Sequence, residues 1–513
     1  MASLLKSSSV VGLMTLLSRL LGFVREIMLA AAFGAGGGMD AFLVALMIPN
    51  FGRRMFAEGA FTQAFVPVFT ETKTTRPHGE ARDLAAVAMG TLGGVLTLIT
   101  VIGCLGAPLL VWLFASGFAH EPVKAALAGG LLRWTFPYLM FISLTSMAGG
   151  MLNVYGRFWV PAFTPVIFNL CLIASAWVQN GSVEALAWAV FAGGILQFLF
   201  QLPSLRRLDL LPRPRFDWND PRVRRIVGLM LPVMFGSSVA QISLLLNSNL
   251  STHMGDGPVS WLYYANRLME FPLGIFSIAV GTAILPALSA QHATKSTGHF
   301  SATLDWGLRT ILVIGVPAAL GMVLLAGPLV ATVYGHGRFT AHHVAMTTYA
   351  LWAYGIGFMG FSFVKVLVPG FYARQQTRLP VRYAVISLLI GMAASVAFFL
   401  AARAYNWPAA HVGLALSTSL TAWINAFLLY RRLRKDGVYT PLPQWRIFAL
   451  RLLVGNAALA AVVLLLAAPL SQWLASSWQI RGLWTAEVVA AAMAAYAGAL
   501  WLTGLRPHHF RRA

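Results

Sequence analysis

What most constrains this chain is a succession of apolar runs about 20 residues long, the length at which a helix crosses a bilayer. They fall near 8–33, 39–69, 84–115, 127–152, 160–178 and 183–204. A second set lies near 223–251, 259–289, 306–334, 343–368, 380–402 and 409–430, and two more near 446–468 and 483–504. Fourteen runs predict an all-α polytopic membrane protein with 14 transmembrane helices. A length of 513 residues would otherwise suggest about three soluble domains. Composition overrules that, because 58% of residues are hydrophobic and only 10% are charged.

The net charge of +21 sits in short loops between the runs, with no long basic face, which argues against nucleic-acid binding. With the N-terminus inside, the inner loops hold 24 Lys and Arg residues and the outer loops four, Lys124, Arg338, Arg403 and Arg481. That asymmetry predicts cytoplasmic termini at both ends. Both cysteines, Cys104 and Cys171, fall inside apolar runs, so neither a disulfide framework nor a metal site is expected. The first apolar run is interrupted by arginines and reads as a retained helix rather than a signal peptide.

Three segment pairs match at offsets near 220: MDAFLVALMIPNF with VSWLYYANRLMEF, FAEGAFTQAFVP with FSIAVGTAILP, and NVYGRFWVP with GFYARQQTRLP. An even number of spans per repeat preserves orientation. The expected architecture is therefore two six-helix lobes related by a pseudo-twofold along the membrane normal, plus two C-terminal helices. The predicted boundaries are an N-lobe at 1–204, a basic cytoplasmic linker at 205–222, a C-lobe at 223–433 and the last helix pair with its tail at 434–513.

Against this apolar background, Ser18–Phe61 carries Arg19, Arg25, Glu26, Asp40, Arg53, Arg54 and Glu58. A charge at bilayer depth costs at least ~2.5–3.5 kcal/mol, so such charges face a wet cavity, pair, or reach an interface. The excess is positive and would suit an anion. The simplest structural alternative is an Arg19–Glu26 pair, one face of a helix apart, with Arg53 and Arg54 reaching an interface. In the second repeat, Arg267 and Glu270 stand near where the offset puts Asn50 and Arg53. Arginine suits a phosphate because its planar fork engages two oxygens and stays charged. No catalytic constellation or metal-ligand spacing appears, and no cofactor is implied. The Gly34–Gly38 run lacks a following Lys-Ser/Thr and reads as a flexible outer corner. Arg133, Lys365, Asp305, Arg309 and Glu487 lie near predicted helix ends, where snorkelling covers most of them. Ser237, Ser238, Gln241, Ser243, Asn247 and Asn249 give the seventh span a polar face, either interhelical glue or cavity lining.

Taken together, SRLLGFVRE, MDAF, IPNFGRRMFAEGAFTQAFVPVF, SWLYYANRLMEFPLGIF and VKVLVPGFYARQQTRLPV resemble the bacterial lipid II flippase family (MurJ/MviN), within the multidrug/oligosaccharidyl-lipid/polysaccharide exporter superfamily. The similarity runs from about Leu4 through the fourteenth span, the last two spans matching mainly by number and hydropathy. The resemblance implies a transporter, not an enzyme. It would carry an undecaprenyl-pyrophosphate-linked peptidoglycan precursor from the inner to the outer leaflet by alternating access, with the last two helices forming a groove for the lipid tail. It assigns substrate-binding roles to Arg19, Arg25, Arg53 and Arg267, and supporting or gating roles to Ser18, Asp40, Asn50, Glu58 and Glu270. Where close relatives carry an aspartate before the last of these arginines, this chain has Asn266, which leaves Glu270 or another residue as the carboxylate partner. Relatives that bind sodium use carboxylates on the seventh, eleventh and twelfth spans, and those spans hold no Asp or Glu here.

The expected partners are lipid II, membrane lipids and the cell-wall synthesis machinery, with no nucleic acid, in the bacterial inner membrane. The membrane potential is the expected driving force. The competing readings are a different exporter of the superfamily, for O-antigen-type lipids or drugs, and a non-transporting scaffold of cell-wall synthesis. A scaffold would have little reason to keep arginines at bilayer depth, and a cation exporter would line its cavity with carboxylates.

Overall fold

A computed structural model of the chain describes residues 2–54, 61–178, 182–211 and 213–506; the side chains of 2–9, 178, 232–233, 235–240 and 278 lie outside that description. Glu58, singled out above, falls outside the described residues, as do the side chains of Ser237 and Ser238. The described residues are helical with connecting turns and contain no strand. Eleven helical segments among them are long and apolar enough to cross a membrane. The remaining predicted runs, near 8–33, 39–69 and 223–251, hold the embedded charges and the Ser/Gln/Asn series.

The chain forms two compact units, Met1–Ser260 and Trp261–Ala513. The first begins with α1 (Ala2–Phe33), α2 (Gly37–Arg53), α3 (Thr62–Thr75), α4 (His78–Leu105) and α5 (Ala107–Phe114). It continues with α6 (Pro122–Thr135), α7 (Tyr138–Val154), α8 (Trp159–Val178), α9 (Val183–Arg207) and α10 (Pro221–Thr252). Helix α11 (Pro258–Pro272) starts in the first unit and runs into the second. There follow α12 (Ile278–Ala293), α13 (Thr297–Leu324), α14 (Ala326–Val333), α15 (Ala341–Tyr372) and α16 (Arg378–Ala404). The chain closes with α17 (His411–Lys435), α18 (Trp445–Leu466), α19 (Leu470–Ala475) and α20 (Trp478–Leu502).

Several predicted spans are broken where the backbone chemistry requires it. Pro137, which lacks an N–H and crowds the preceding turn, separates α6 from α7. Gly106 separates α4 from α5, and Pro108 occupies the first turn of α5, where a missing N–H costs nothing. Past Pro272, α11 passes into a π-helical turn at Leu273–Ser277 before α12 begins. In the first unit the core is built on α3 and the residue before it, where Phe61, Phe65 and Phe69 stack at 5.1 and 5.2 Å between ring centroids.

The basic segment after α9 is pinned to α4. Arg215 donates its N–H to the Ala86 carbonyl at 3.0 Å, and a Cβ on Gly90 would collide with the Arg215 backbone, so glycine makes the seat. Asp83 on α4 pairs with Arg215 at 3.1 Å and with Arg222 at 2.6 Å. Asp220 caps α10 by accepting the Arg222 N–H at 2.8 Å, and hydrogen bonds from Arg222 hold its carboxyl below the ordinary carboxylate range.

Candidate functional site

On α1 the arginines have unequal surroundings. Arg25 is half-buried; it donates from Nη1 to Asn169 Oδ1 on α8 at 2.8 Å and pairs through Nη2 with the buried Glu26. The carboxylate that the sequence offered to Arg19 is thus held by Arg25. Asn169 also donates from Nδ2 to the Ser18 carbonyl at 3.0 Å, beside Gly22, so one amide ties the backbone of α1 and its guanidinium to α8. Arg19 is exposed. A lone asparagine in an otherwise apolar run was the signal that sequence reading passed over.

Asp40 is fully buried in the first turn of α2, where the helix dipole favours a carboxylate. It accepts from the Gly257 N–H at 2.7 Å on Oδ2, and from the Ser260 N–H at 2.9 Å and the Ser260 hydroxyl at 2.5 Å on Oδ1. Next to it, the buried Lys124 pairs with Asp256 at 2.5 Å. Asp256 Oδ1 would lie 2.5 Å from a Cβ on Gly37, so any larger residue at 37 would displace the Asp256 carboxylate from its present position. Gly34, with φ +70°, makes the preceding left-handed turn. The glycine run is therefore a shaped corner rather than a slack one.

At the other end of α2, Arg53 is half-buried and donates from Nε to Asn50 Oδ1 at 3.0 Å. Arg54 is exposed and reaches Gln241 on α10 at 3.2 Å. In the second unit, Arg267 pairs with Glu270 at 2.8 Å and its guanidinium lies 5.0 Å from the Tyr263 ring centroid. Asn266 donates from Nδ2 to the other Glu270 oxygen at 3.0 Å, so Glu270 serves both residues. The π-turn follows directly, a feature often found at functional sites.

Chemically, Arg25, Arg53 and Arg267 are each positioned by polar neighbours, and a guanidinium offers five N–H groups in a planar fork. Such groups can exchange a neighbour for a phosphate oxygen. Among the described residues no group of three His, Cys, Asp or Glu side chains could hold a metal ion.

The chain matches the family model for "Lipid II flippase MurJ" over residues 29–483. A "Probable lipid II flippase MurJ" of Vibrio cholerae is 42% identical over 98% of this chain and 97% of its own length. A solved structure titled "Lipid II flippase MurJ, inward closed conformation" shares the fold with a TM-score of 0.79, at 24% identity, over 95% of this chain and 97% of that one. An inward-facing multidrug resistance MATE family transporter of the MOP superfamily superposes with a TM-score of 0.67 at 14% identity, covering 82% of this chain and 95% of that one. The residues that hold α1, α2 and the turn before α11 therefore belong to a chain of the lipid II flippase MurJ family.

Proposed function

We propose that this chain translocates lipid II across the inner membrane, and that Arg19, Arg25, Arg53 and Arg267 bind the pyrophosphate of its substrate. It is a multi-pass inner-membrane transporter and not an enzyme. The observation that carries the arginine assignment is Arg25: a permanently charged guanidinium in an apolar span, held half-buried beside Asn169 and Glu26. Asn50 orients Arg53 and Glu270 orients Arg267, so both are placed before substrate arrives. Ser18, Asp40 and Glu58 complete the supporting set.

The finer architecture in this reading is 14 spans with cytoplasmic termini, two six-helix lobes and a C-terminal pair that holds the lipid tail. Asp40 and Ser260 support the repeat, since their separation of 220 equals its offset, and equivalent positions of two repeats can meet only near the axis relating them. In this topology the Asp40 contact lies on the outer side of the membrane. The cell-wall synthesis machinery is the expected consumer of the product.

Purified protein in vesicles, given defined lipid-linked substrates, tests the reading. Lipid II should change leaflet, and the same lipid bearing an O-antigen-type sugar should not. Transfer of neither, by protein that retains its helical content, would overturn it.

A further inference from the structure

The two C-terminal helices lie outside the internal repeat, yet the second unit holds them by polar contacts at three depths. At one end the anchor is Asp305 on α13. Its side chain is fully buried, and a buried carboxylate persists only when it is partnered. Two of its partners come from the segment joining α17 to α18 and one from the first residue of α18: the Tyr439 hydroxyl donates at 2.7 Å, the Leu442 N–H at 3.3 Å and the Trp445 indole at 2.8 Å. The fourth is Arg309, one turn further along α13, which forms an ion pair at 2.7 Å. Arg309 also donates to the Pro443 carbonyl at 3.0 Å and lies 5.1 Å from the Trp445 ring centroid. One turn before Asp305, Ser301 accepts the Thr440 N–H and donates to the Thr440 carbonyl, both at 2.9 Å. Ser301, Asp305 and Arg309 recur every four residues, so one face of α13 receives the whole segment.

Further along the same face, the Tyr496 hydroxyl of α20 donates to the Val313 carbonyl at 2.7 Å. At the opposite end Arg481 of α20 is buried and faces carbonyls. It donates to Ala331 at 3.0 Å and Gly335 at 2.7 Å, where α14 ends, and to Leu474 at 2.8 Å and Ser476 at 3.0 Å. A cation at a helix C-terminus satisfies carbonyls that have no partner within the helix. Beside it the Thr332 and Thr485 hydroxyls meet at 2.9 Å.

We propose that α18 and α20 are clasped to α13 and α14 at both ends and pass through the transport cycle without moving against them, with Asp305 as the positioning residue of one clasp. This rests on the transport reading above. Any slip along α13 would strip Asp305 of Tyr439, Leu442 and Trp445, and Arg481 of the Ala331 and Gly335 carbonyls, leaving each charge with only the partners of its own segment.

The test locks the clasps. Thr332→Cys with Thr485→Cys, and separately Ser301→Cys with Thr440→Cys, are made in a chain whose Cys104 and Cys171 are replaced. Contacting hydroxyls bring the Cβ atoms within disulfide reach, so both pairs should oxidise in native membranes. Transport of lipid II should then be the same oxidised and reduced. A loss on oxidation of about tenfold or more, restored by reductant, would overturn the proposal, as would failure of either pair to cross-link. Disulfide yield is read without reference to transport. A chain that cross-links but carries no lipid II even when reduced defeats the transport reading, and the proposal with it. Asp305→Ala should lower the yield at 301/440 and spare that at 332/485. Asp305→Asn keeps an acceptor oxygen and should restore most of the yield. Equal yields in all three backgrounds would remove Asp305 from the role, and if the alanine variant is not produced, the asparagine variant against the parent decides.

Discussion

Asp40 and Ser260, 220 positions apart, are joined twice through one carboxylate oxygen, which takes both the backbone N–H and the hydroxyl of the serine. With Gly257 on the second oxygen, three buried donors from two residues converge on a single side chain. The donors have no water to turn to while the contact is closed.

Removing that acceptor should therefore open the turn. A buried donor left unmatched costs roughly 1–3 kcal/mol, enough to reverse a two-state balance. Asp40→Ala should raise the reactivity of Val44→Cys, a position fully buried one turn further along α2, toward a membrane-impermeant maleimide, and transport should fall. Ser260→Ala should act in the same direction but less, since its N–H remains. Unchanged labelling in Asp40→Ala would remove Asp40 from gating.

If the four arginines bind phosphate oxygens, each of Arg19→Ala, Arg25→Ala, Arg53→Ala and Arg267→Ala should slow transport by about tenfold or more, the worth of a hydrogen bond to a charged group. Lysine should rescue in part, because it keeps the charge and loses the fork. Arg54→Ala should be milder. Protein level in the membrane is the control. Normal transport in all four alanine variants would leave them as interfacial or packing residues.

Orientation is checked from outside the cell. In a chain lacking Cys104 and Cys171, Asp256→Cys should react with an impermeant reagent and Arg213→Cys should not. The Asp256 side chain is 62% exposed, so its failure to react could not be blamed on burial. The reverse pattern would invert the topology.

Energy coupling follows from charge. An elementary charge crossing the membrane potential gains about 2.3 kcal/mol per 100 mV, so an anionic pyrophosphate is driven outward. The unloaded arginines feel the opposite pull and are drawn toward the cytoplasm, which would reset the empty carrier. Collapsing the potential at constant pH gradient should stop transport, and removing sodium should change little. Transport that persists at zero potential and vanishes without sodium would sink this account.

Helices, and the fact that they span, could be read from the chain because roughly 20 apolar residues in a row have few other uses. The arginines were legible for the converse reason, being costly where they stand. What the sequence concealed was partnership. Asp305 looked like a residue near a helix end, but three of its four partners lie more than 130 positions later, and nothing local to Asp305 announces those three. Asn169 was one amide in an apolar run, and its significance depends on α1 lying against it. The glycine run read as slack because composition gives freedom without saying what occupies the space; at Gly37 that is Asp256.

The linker on α4 and the Asp40 contact share a property that bears on biogenesis. Every contact described for the first unit lies within the chain up to Ser260, and so is available once that serine has left the ribosome. Chains grow at about 5–20 residues per second, so the remaining 253 residues take roughly 13–50 s to synthesise. During that interval the nascent first half can seat Arg215 on Gly90 and close Ser260 on Asp40, leaving no basic strand loose at the ribosome exit while the second half is inserted.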